Sequence, residues 1–495
     1  MPLEARRCRV RLVILRDPIH GLVAFEGVAG RLLGALLDTP EVQRLRRIRQ
    51  LGLTALVFPG AEHTRFAHAV GAAHVMGRLL GRFASCSPAL PPPLRVEEEA
   101  RAEAMAAALL HDLGHGPFSH AFEDAILKNN RGLEEKGLGD HERIGLALIE
   151  HTEVSRVLRE AEEKHGMPHL GELVVKLLGV EEPGEKVIRL LRKVVKAWVY
   201  PADVMDFLMR DSYYAGTKEY GVIDYQRLIR NTHPYPELGK HDEVVLERKA
   251  LGALRSYLYS RVSMYEHVYL HPVGVAFSRL LVDVLRGGDE VLGLTEAVER
   301  LAEGDPDPYI RLDDWRVMVL LEERRDQLDP EIAEKVMCLV ERRNPWKRIG
   351  RESRIPLLTG EGGPQPLALA LKYHRDWRRD LEERLRQEAR SIIGDAASDI
   401  WVMSHVLYPA PLASLSRTYP LYEAKFIRGE LAEARRLNIY EFMVREGLVP
   451  SIVVRAYAPR SSIDSRETLA RLSEIFDHTV TDFFSIRSLA GGITL

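Results

Sequence analysis

Residues 96–112 read VEEEARAEAMAAALLHD, and residues 113–120 continue LGHGPFSH. The first stretch predicts a strong helix. Its opening turn is acidic, as the helix dipole favours, and alanine and leucine fill the rest. Gly114 and the Gly116-Pro117 step break it near His111-Asp112. The apolar run therefore delivers an imidazole and a carboxylate to one interior point. A charged Asp is costly there unless it is paired or bound to a metal.

Upstream, residues 64–80 predict a helix that carries Phe66, Val70, Ala73 and Met76 inward, with His68 on or beside that stripe. Asp38-Thr39-Pro40 is a helix-start signature. The following EVQRLRRIRQLG (41–52) places Val42, Leu45, Ile48 and Leu51 on one apolar face and its arginines on the other. Those arginines form either a solvated face or a phosphate-binding one. VRLVIL, DPIHG and LVAF, within residues 10–25, read as a short strand, a turn and a second extended piece.

Downstream, FSHAFEDAILKN (118–129) is a helix, and Asp140 caps another over 141–151. EKVIRLLRKVVKAWV (185–199), ADVMDFLMRDSYYAG (202–216) and residues 248–285 are helical too, after an extended excursion over 223–250 that includes EVVLER. SPALPPPL (87–94) is a Pro-rich linker. Beyond residue 350 the pattern changes. SRIPLLTG, DIWVMSHVLY, LYEAKFIR and SIVVRAYAP read as strands, and residues 367–390 and 465–476 as helices. The expected class is mainly α. Residues 1–290 form a first domain whose helical core runs over about 30–290, residues 291–350 a helical extension, and residues 351–495 an α+β region. GEGG at 360–363 lacks the strand–loop–helix context of a phosphate loop.

With 495 residues, 46% hydrophobic and 28% charged, the chain has the balance of an ordinary globular protein, which excludes wholesale disorder. Lys+Arg 69 against Asp+Glu 72 gives a charge of -3, which argues against a broad nucleic-acid footprint. The charge-mixed helices 192–199 and 372–390 read as solvated faces, so no nucleic-acid partner is expected. Cys8, Cys86 and Cys338 form no CxxC pair, which points to a reducing, cytoplasmic setting. No run of about 18 apolar residues exists, so no membrane association is expected.

The histidines cluster. Of 18, His63, His68, His74, His111, His115, His120 and His141 fall within one stretch of under about eighty residues. His68, on its own helix, and an acidic helix with Asp203 and Asp206 join His111-Asp112. Two imidazoles and two carboxylates suit a first-row divalent ion. Such a site leaves positions for water and a phosphate oxygen, lowers the pKa of that water and clamps phosphoryl charge.

The order H…HD…D at His68, His111-Asp112 and Asp203 resembles the HD-domain phosphohydrolases. DPIHG, DTPEVQRLRRIRQLG, VFPGAEHTRFAHAVG, HDLGHGPFSHAFE, DHE, DVMDFLMRDSYYAG and the helix from Arg261 to His271 are similar to the deoxynucleoside triphosphate triphosphohydrolase branch, in order over about residues 14–275. The resemblance implies that His68, His111, Asp112 and Asp203 hold one divalent metal (Mn, Fe, Ni, Mg or Zn). It assigns His115 to the scissile phosphate and the leaving oxygen, and His120, Glu123 and His141 to a second acid/base cluster, where the family commonly has Asp instead of Glu123. Arg65 grips phosphate, Gln50 and Leu51 line sugar and base, and Asp211, Arg261 and Tyr269 hold the sugar hydroxyl and phosphates. Asp38, Gln43 and Arg46 match a guanine-reading effector site. A dNTP substrate, a guanine-nucleotide effector and a homo-oligomer, dimer or tetramer, are implied partners. His63, His74 and His151 match no ligand position and read as structural.

Two departures stand out. Val204 replaces a phosphate-contacting Lys of the animal enzymes, and Val13 replaces a Lys that grips effector phosphate. Other readings of the same site are a phosphodiesterase, nucleotidase or nuclease, because a fold does not fix a substrate. A guanosine-tetraphosphate hydrolase typically has acidic residues where this chain has Gly114-His115, and no HD-GYP signature occurs. A catalytically idle nucleotide sensor would not need His115.

Overall fold

A computed structural model of the chain describes residues 12–85, 98–128, 130–165, 167, 169–179, 186–235, 243–356, 376–410, 421–427 and 430–490. Cys8, Cys86, the linker 87–94 and GEGG lie outside the described residues. As expected, the fold is mainly helical with small sheets, most of them toward the C-terminal end. Among the described residues no single helix is long and apolar enough to cross a membrane.

The N-terminal hairpin pairs strand β1 (Val13–Asp17) with strand β2 (Gly21–Phe25). Its turn is fixed by Asp17, whose Oδ1 accepts the N–H of Ile19 and of His20 at 2.8 and 2.9 Å. Two long helices follow, Arg65–Ser85 and Glu98–Leu110. The second is buried from Ala102 to Leu110, because its Ala/Leu face leaves room for neighbours on almost every side. One continuous apolar core joins these helices to Ala202–Ala215, Leu251–Met264 and Pro272–Gly287.

The expected helix over 41–52 is shorter than its periodicity suggests. Pro40–Arg44 is α-helical and Leu45–Arg47 is a 3-10 turn, after which the chain extends so that Arg49 bridges Thr64. Val42, Leu45 and Ile48 are all buried as predicted. Arg44, however, is not on a solvated face. It is 1% exposed, donates to the Leu312 carbonyl at 2.9 Å and lies 4.7 Å from the Tyr309 ring centre. Thr39 precedes Pro40 as anticipated, but its hydroxyl turns back to the Leu36 carbonyl instead of capping. Asp140 does cap its helix, accepting the Arg143 N–H at 2.8 Å.

Strand β3 (Thr232–Tyr235) pairs with strand β4 (Glu243–Glu247) within the expected extended excursion. Strand β5 (Trp346–Pro356) starts before the predicted SRIPLLTG, and strand β6 (Trp401–Leu407) falls where DIWVMSHVLY predicted it. Strand β7 (Leu421–Ile427), strand β8 (Glu430–Leu437) and strand β9 (Ser451–Pro459) complete two sheets, ordered β3-β4-β7-β8 and β5-β9-β6. ELAEARRL, strand β8, has helix-forming residues throughout. It is extended because it forms a hairpin with β7, whose other edge runs parallel to β4.

Helices Asp376–Ile393 and Arg466–Ala490 cover one face of the β5-β9-β6 sheet through Trp377, Leu381, Leu385, Leu472 and Phe476. On β6, Val402 and Val406 point to that layer. Trp401 and Met403, one residue out of phase, point to the helical core at Ala276.

Candidate active site

The Arg65–Ser85 helix brings His68, the end of the Glu98–Leu110 helix brings His111 and Asp112, and the first turn of the Ala202–Ala215 helix brings Asp203. His68 Nε2 lies 3.3 Å from His111 Nε2, 3.0 Å from Asp203 Oδ1 and 3.8 Å from Asp112 Oδ2. His111 Nε2 is 3.4 Å from Asp203 Oδ1 and 3.3 Å from Asp112 Oδ1. His68, His111 and Asp112 therefore converge closely enough to hold one ion, and Asp203 Oδ1 lies beside both imidazoles.

The tautomers decide what this point attracts. His68 Nδ1 faces Asp206 Oδ2 at 2.8 Å, and His111 Nδ1 faces the Ala108 carbonyl at 2.8 Å. Each Nδ1 must donate, because its partner can only accept. Both Nε2 atoms then face the two carboxylates, an arrangement that draws a proton or a metal ion to the centre. Nitrogen and oxygen ligands about 2.0–2.2 Å from one ion lie at mutual separations of this order. Burial alone would lower the His68 imidazole, but hydrogen bonds to Asp203 and Asp206 overcome it and push it up to about 10. Burial opposes ionisation of Asp112, yet Arg65 and His111 hold it well below the usual carboxylate range. The carboxylates thus draw positive charge onto His68, while Arg65 and His111 keep Asp112 anionic.

A further set of residues holds His68 from behind. Asp206 Oδ1 accepts from His20 Nε2 at 2.6 Å, and Arg210 braces both Asp206 oxygens at 2.9 Å. Arg210 Nη1 then reaches Asp17 Oδ2 at 2.7 Å. Gly71 makes this approach feasible, since a Cβ there would lie 1.9 Å from Asp206 Oδ1. Sequence reasoning set Asp206 aside as a ligand and gave His20 no role. The spacing of Asp206 and Arg210, four apart on a helix, was the available signal.

The second cluster is built differently. His120 Nδ1 and His141 Nδ1 face Glu123 Oε2 at 3.2 and 2.9 Å. One carboxylate oxygen thus faces two imidazole nitrogens, and with His115 these side chains lie close enough together to hold a metal ion. Burial works against the Glu123 charge, but these two imidazoles hold its carboxyl far below the usual range. His115 stacks on His141 with ring centres 3.9 Å apart. Burial, then Arg65 and His141, hold His115 well below the ordinary imidazole value, so it is neutral. Gly114 lets this loop touch the start of the His141 helix, where a Cβ would meet the His141 carbonyl at 2.1 Å.

Arg65 pairs with Asp112 and donates from Nε to Ser119 Oγ at 2.8 Å. Asp211 accepts from His63 Nε2 and from the Tyr269 hydroxyl, each at 2.7 Å. His63, read as structural, thus orients a candidate substrate residue. Arg261 Nη2 lies 3.4 Å from the Tyr265 hydroxyl, and its buried Nε has no partner. Gln50 and Leu51 follow the buried Ile48, and Gln50 Oε1 is buried without a partner. Arg46 donates to Gln43 Oε1 at 2.8 Å and lies over the Phe66 ring, while Asp38 is exposed at the end of helix Gly27–Leu37.

Phe118 and Ser119, between the two clusters, have φ of 57° and 59°. Neither is a glycine, so the turn is strained. Asp314, from the helix Asp314–Glu323, holds it by accepting the Phe118 N–H at 2.7 Å and the Arg49 N–H at 3.0 Å. No sequence motif marked this residue. Its burial raises the carboxyl to about 6, against the pull of those two N–H groups. Asp314→Ala is expected to cost about 2–3 kcal/mol in denaturant unfolding, because it orphans buried N–H groups at a strained turn. A change below about 0.5 kcal/mol would show that the turn holds itself.

This geometry defines a metal-centred hydrolase of the helical HD class. Residues 65–198 match the HD domain and residues 223–353 the HD associated region. The chain belongs to the HD-domain phosphohydrolase family, is a phosphoric ester hydrolase and takes a divalent metal ion as cofactor. It is 30% identical over 370 residues to the uncharacterized protein YwfO of Bacillus subtilis, covering 71% of this chain and 77% of that one. It is 28% identical over 360 residues to the human deoxynucleoside triphosphate triphosphohydrolase SAMHD1, covering 68% of this chain but only 55% of that protein. The SAMHD1 homolog of Dictyostelium discoideum is 29% identical, with 68% and 59% covered. A crystal structure of a Bacteroides thetaiotaomicron phosphohydrolase shares the fold, with TM-score 0.61, 24% identity, 91% of this chain and 100% of that chain covered.

Proposed function

We propose that this chain hydrolyses deoxynucleoside triphosphates to deoxynucleoside and tripolyphosphate. The observation that carries the reading is the convergence of His68, His111, Asp112 and Asp203 beside a carboxylate-tethered imidazole pair. The likeness to the triphosphohydrolases narrows the substrate. A divalent ion held by the four ligands would neutralise phosphoryl charge and activate water.

The chain's own residues divide the remaining work. Arg65 draws a phosphate oxygen toward the centre, and neutral His115 donates a hydrogen bond to the scissile phosphate. Water adds to the α-phosphorus and the bond to the sugar 5′-oxygen breaks. That oxygen needs a proton, which His120 or His141 supplies while Glu123 stabilises the imidazolium. Asp211, already accepting two hydrogen bonds, takes a third from a sugar hydroxyl. Tyr269 fixes Asp211 in place, and Gln50 and Leu51 line the sugar and base.

Incubation with each dNTP and Mn, Mg or Fe is expected to release nucleoside and tripolyphosphate. Release of monophosphate or pyrophosphate alone would overturn the reading. His120→Ala is expected to lower kcat about a hundredfold with metal content unchanged. Activity within about twofold of the parent would remove His120 from the mechanism. The proposed effector residues Asp38, Gln43 and Arg46 predict a higher rate when GTP or dGTP is added; equal rates with and without it would strike out regulation at that site.

A further inference from the structure

The α+β region meets the helical segment that carries Tyr265 and Tyr269, and His405 stacks on it there. β6 alternates its side chains, with Val402 and Val406 facing the covering helices, so His405 lies on the face turned to the helical core. Its ring stacks on Tyr265, with centres 5.4 Å apart and planes at 27°. Tyr265 meets Tyr269, Tyr269 meets Phe207 and Phe207 meets His68, with centres 5.0, 6.2 and 6.3 Å apart. Three aromatic rings thus lead from the metal ligands to His405.

The contact is anchored. Arg455 of β9 is 3% exposed, pairs with Glu352 of β5 and donates to the Leu270 carbonyl, one residue after Tyr269. The Tyr457 hydroxyl donates to the Pro272 carbonyl at 3.1 Å. The sheet is therefore fixed against the segment that carries Tyr265 and Tyr269.

Among the described residues the His405 ring nitrogens make no hydrogen bond, and the neighbouring Arg261 forms no ion pair. Burial, and then Arg261, push the His405 imidazole down to about 4, so it is a neutral donor beside a cation. The sugar's hydroxyl finds its acceptor at Asp211. A guanidinium with no carboxylate partner and an imidazole with no hydrogen bond among the described residues, both against Tyr265, suit an anion. The helix bearing Asp203 offers no further cation to such an anion, since Val204 follows the ligand.

We propose that His405 is a substrate-binding residue which, with Arg261, receives the terminal phosphate of the triphosphate chain. This rests on the triphosphohydrolase reading, and it gives the C-terminal region a part in the active site.

The test is calorimetric binding of inorganic tripolyphosphate to the metal-loaded full chain, its H405A, H405Q and R261A variants, with dNTP kinetics alongside. H405A is expected to weaken tripolyphosphate about tenfold and to raise KM for dNTP similarly, with a much smaller effect on kcat. H405Q, which keeps an N–H donor, is expected to recover part of the loss, and it carries the comparison if H405A does not fold. Unchanged affinity in H405A and H405Q alongside a loss in R261A would overturn the role of His405 and leave the triphosphohydrolase reading intact. A parent chain that neither binds tripolyphosphate nor releases it from any dNTP would overturn both.

Discussion

His111→Ala is expected to reduce hydrolysis by more than about a thousandfold, because the pKa of water falls from 15.7 to about 7 only while a metal is held. The substitution removes one of the two Nε2 lone pairs that face the centre and leaves the backbone hydrogen bonding intact, apart from the contact to the Ala108 carbonyl. Its side chain is 9% exposed, so the cavity left behind admits water and the cost in stability is small. Metal content by elemental analysis should fall below one ion per chain, while the circular dichroism spectrum stays that of the parent. Retained stoichiometric metal with retained turnover would show that the ion sits elsewhere, with the Glu123 cluster as the alternative. The two clusters differ in that respect. At Glu123 both imidazoles turn Nδ1 to the carboxylate, whereas Asp206 and the Ala108 carbonyl engage His68 and His111 at Nδ1 and leave Nε2 turned to the centre.

How much of this was legible in the sequence depends on what each residue answers to. The Glu98–Leu110 helix and its inward delivery of His111-Asp112 were readable, because a buried Ala/Leu run that ends in His-Asp can deliver charge inward only for a purpose, whereas the choice of Asp203 over Asp206 came from the resemblance. Strand β8 was not, because its Glu, Ala, Arg and Leu residues carry helix propensity and its extension comes from pairing with β7. Arg44 fits neither reading of the arginine face, solvated or phosphate-binding, because helical periodicity places a charge on a face without revealing that Tyr309, some 265 residues away in sequence by count, covers it. Asp314 and His405 belong to the same class. Each acts on a segment far off in the chain, and neither stands in a local pattern that would announce it.

The support behind His68 predicts the second large effect. Asp206→Ala is expected to weaken metal binding about 10- to 100-fold although Asp206 is not placed among the ligands. Asp206 accepts the Nδ1–H of His68, which fixes the ring and turns its Nε2 lone pair to the centre. Without that acceptor the ring can rotate or change tautomer. The same substitution leaves Arg210, 0% exposed, with only Asp17 as an anionic partner, and leaves His20 Nε2 unpaired. Breaking a buried ion pair from one side costs about 3–5 kcal/mol. Asp206→Asn separates the two consequences. Its amide oxygen can still accept from His68, so metal affinity should recover in part, while the missing charge keeps the unfolding midpoint low. Metal titration and denaturant unfolding of both variants measure the two effects independently. Parental metal affinity in Asp206→Ala would mean that the four ligands orient themselves and that the His20–Asp206–Arg210–Asp17 network serves the fold alone.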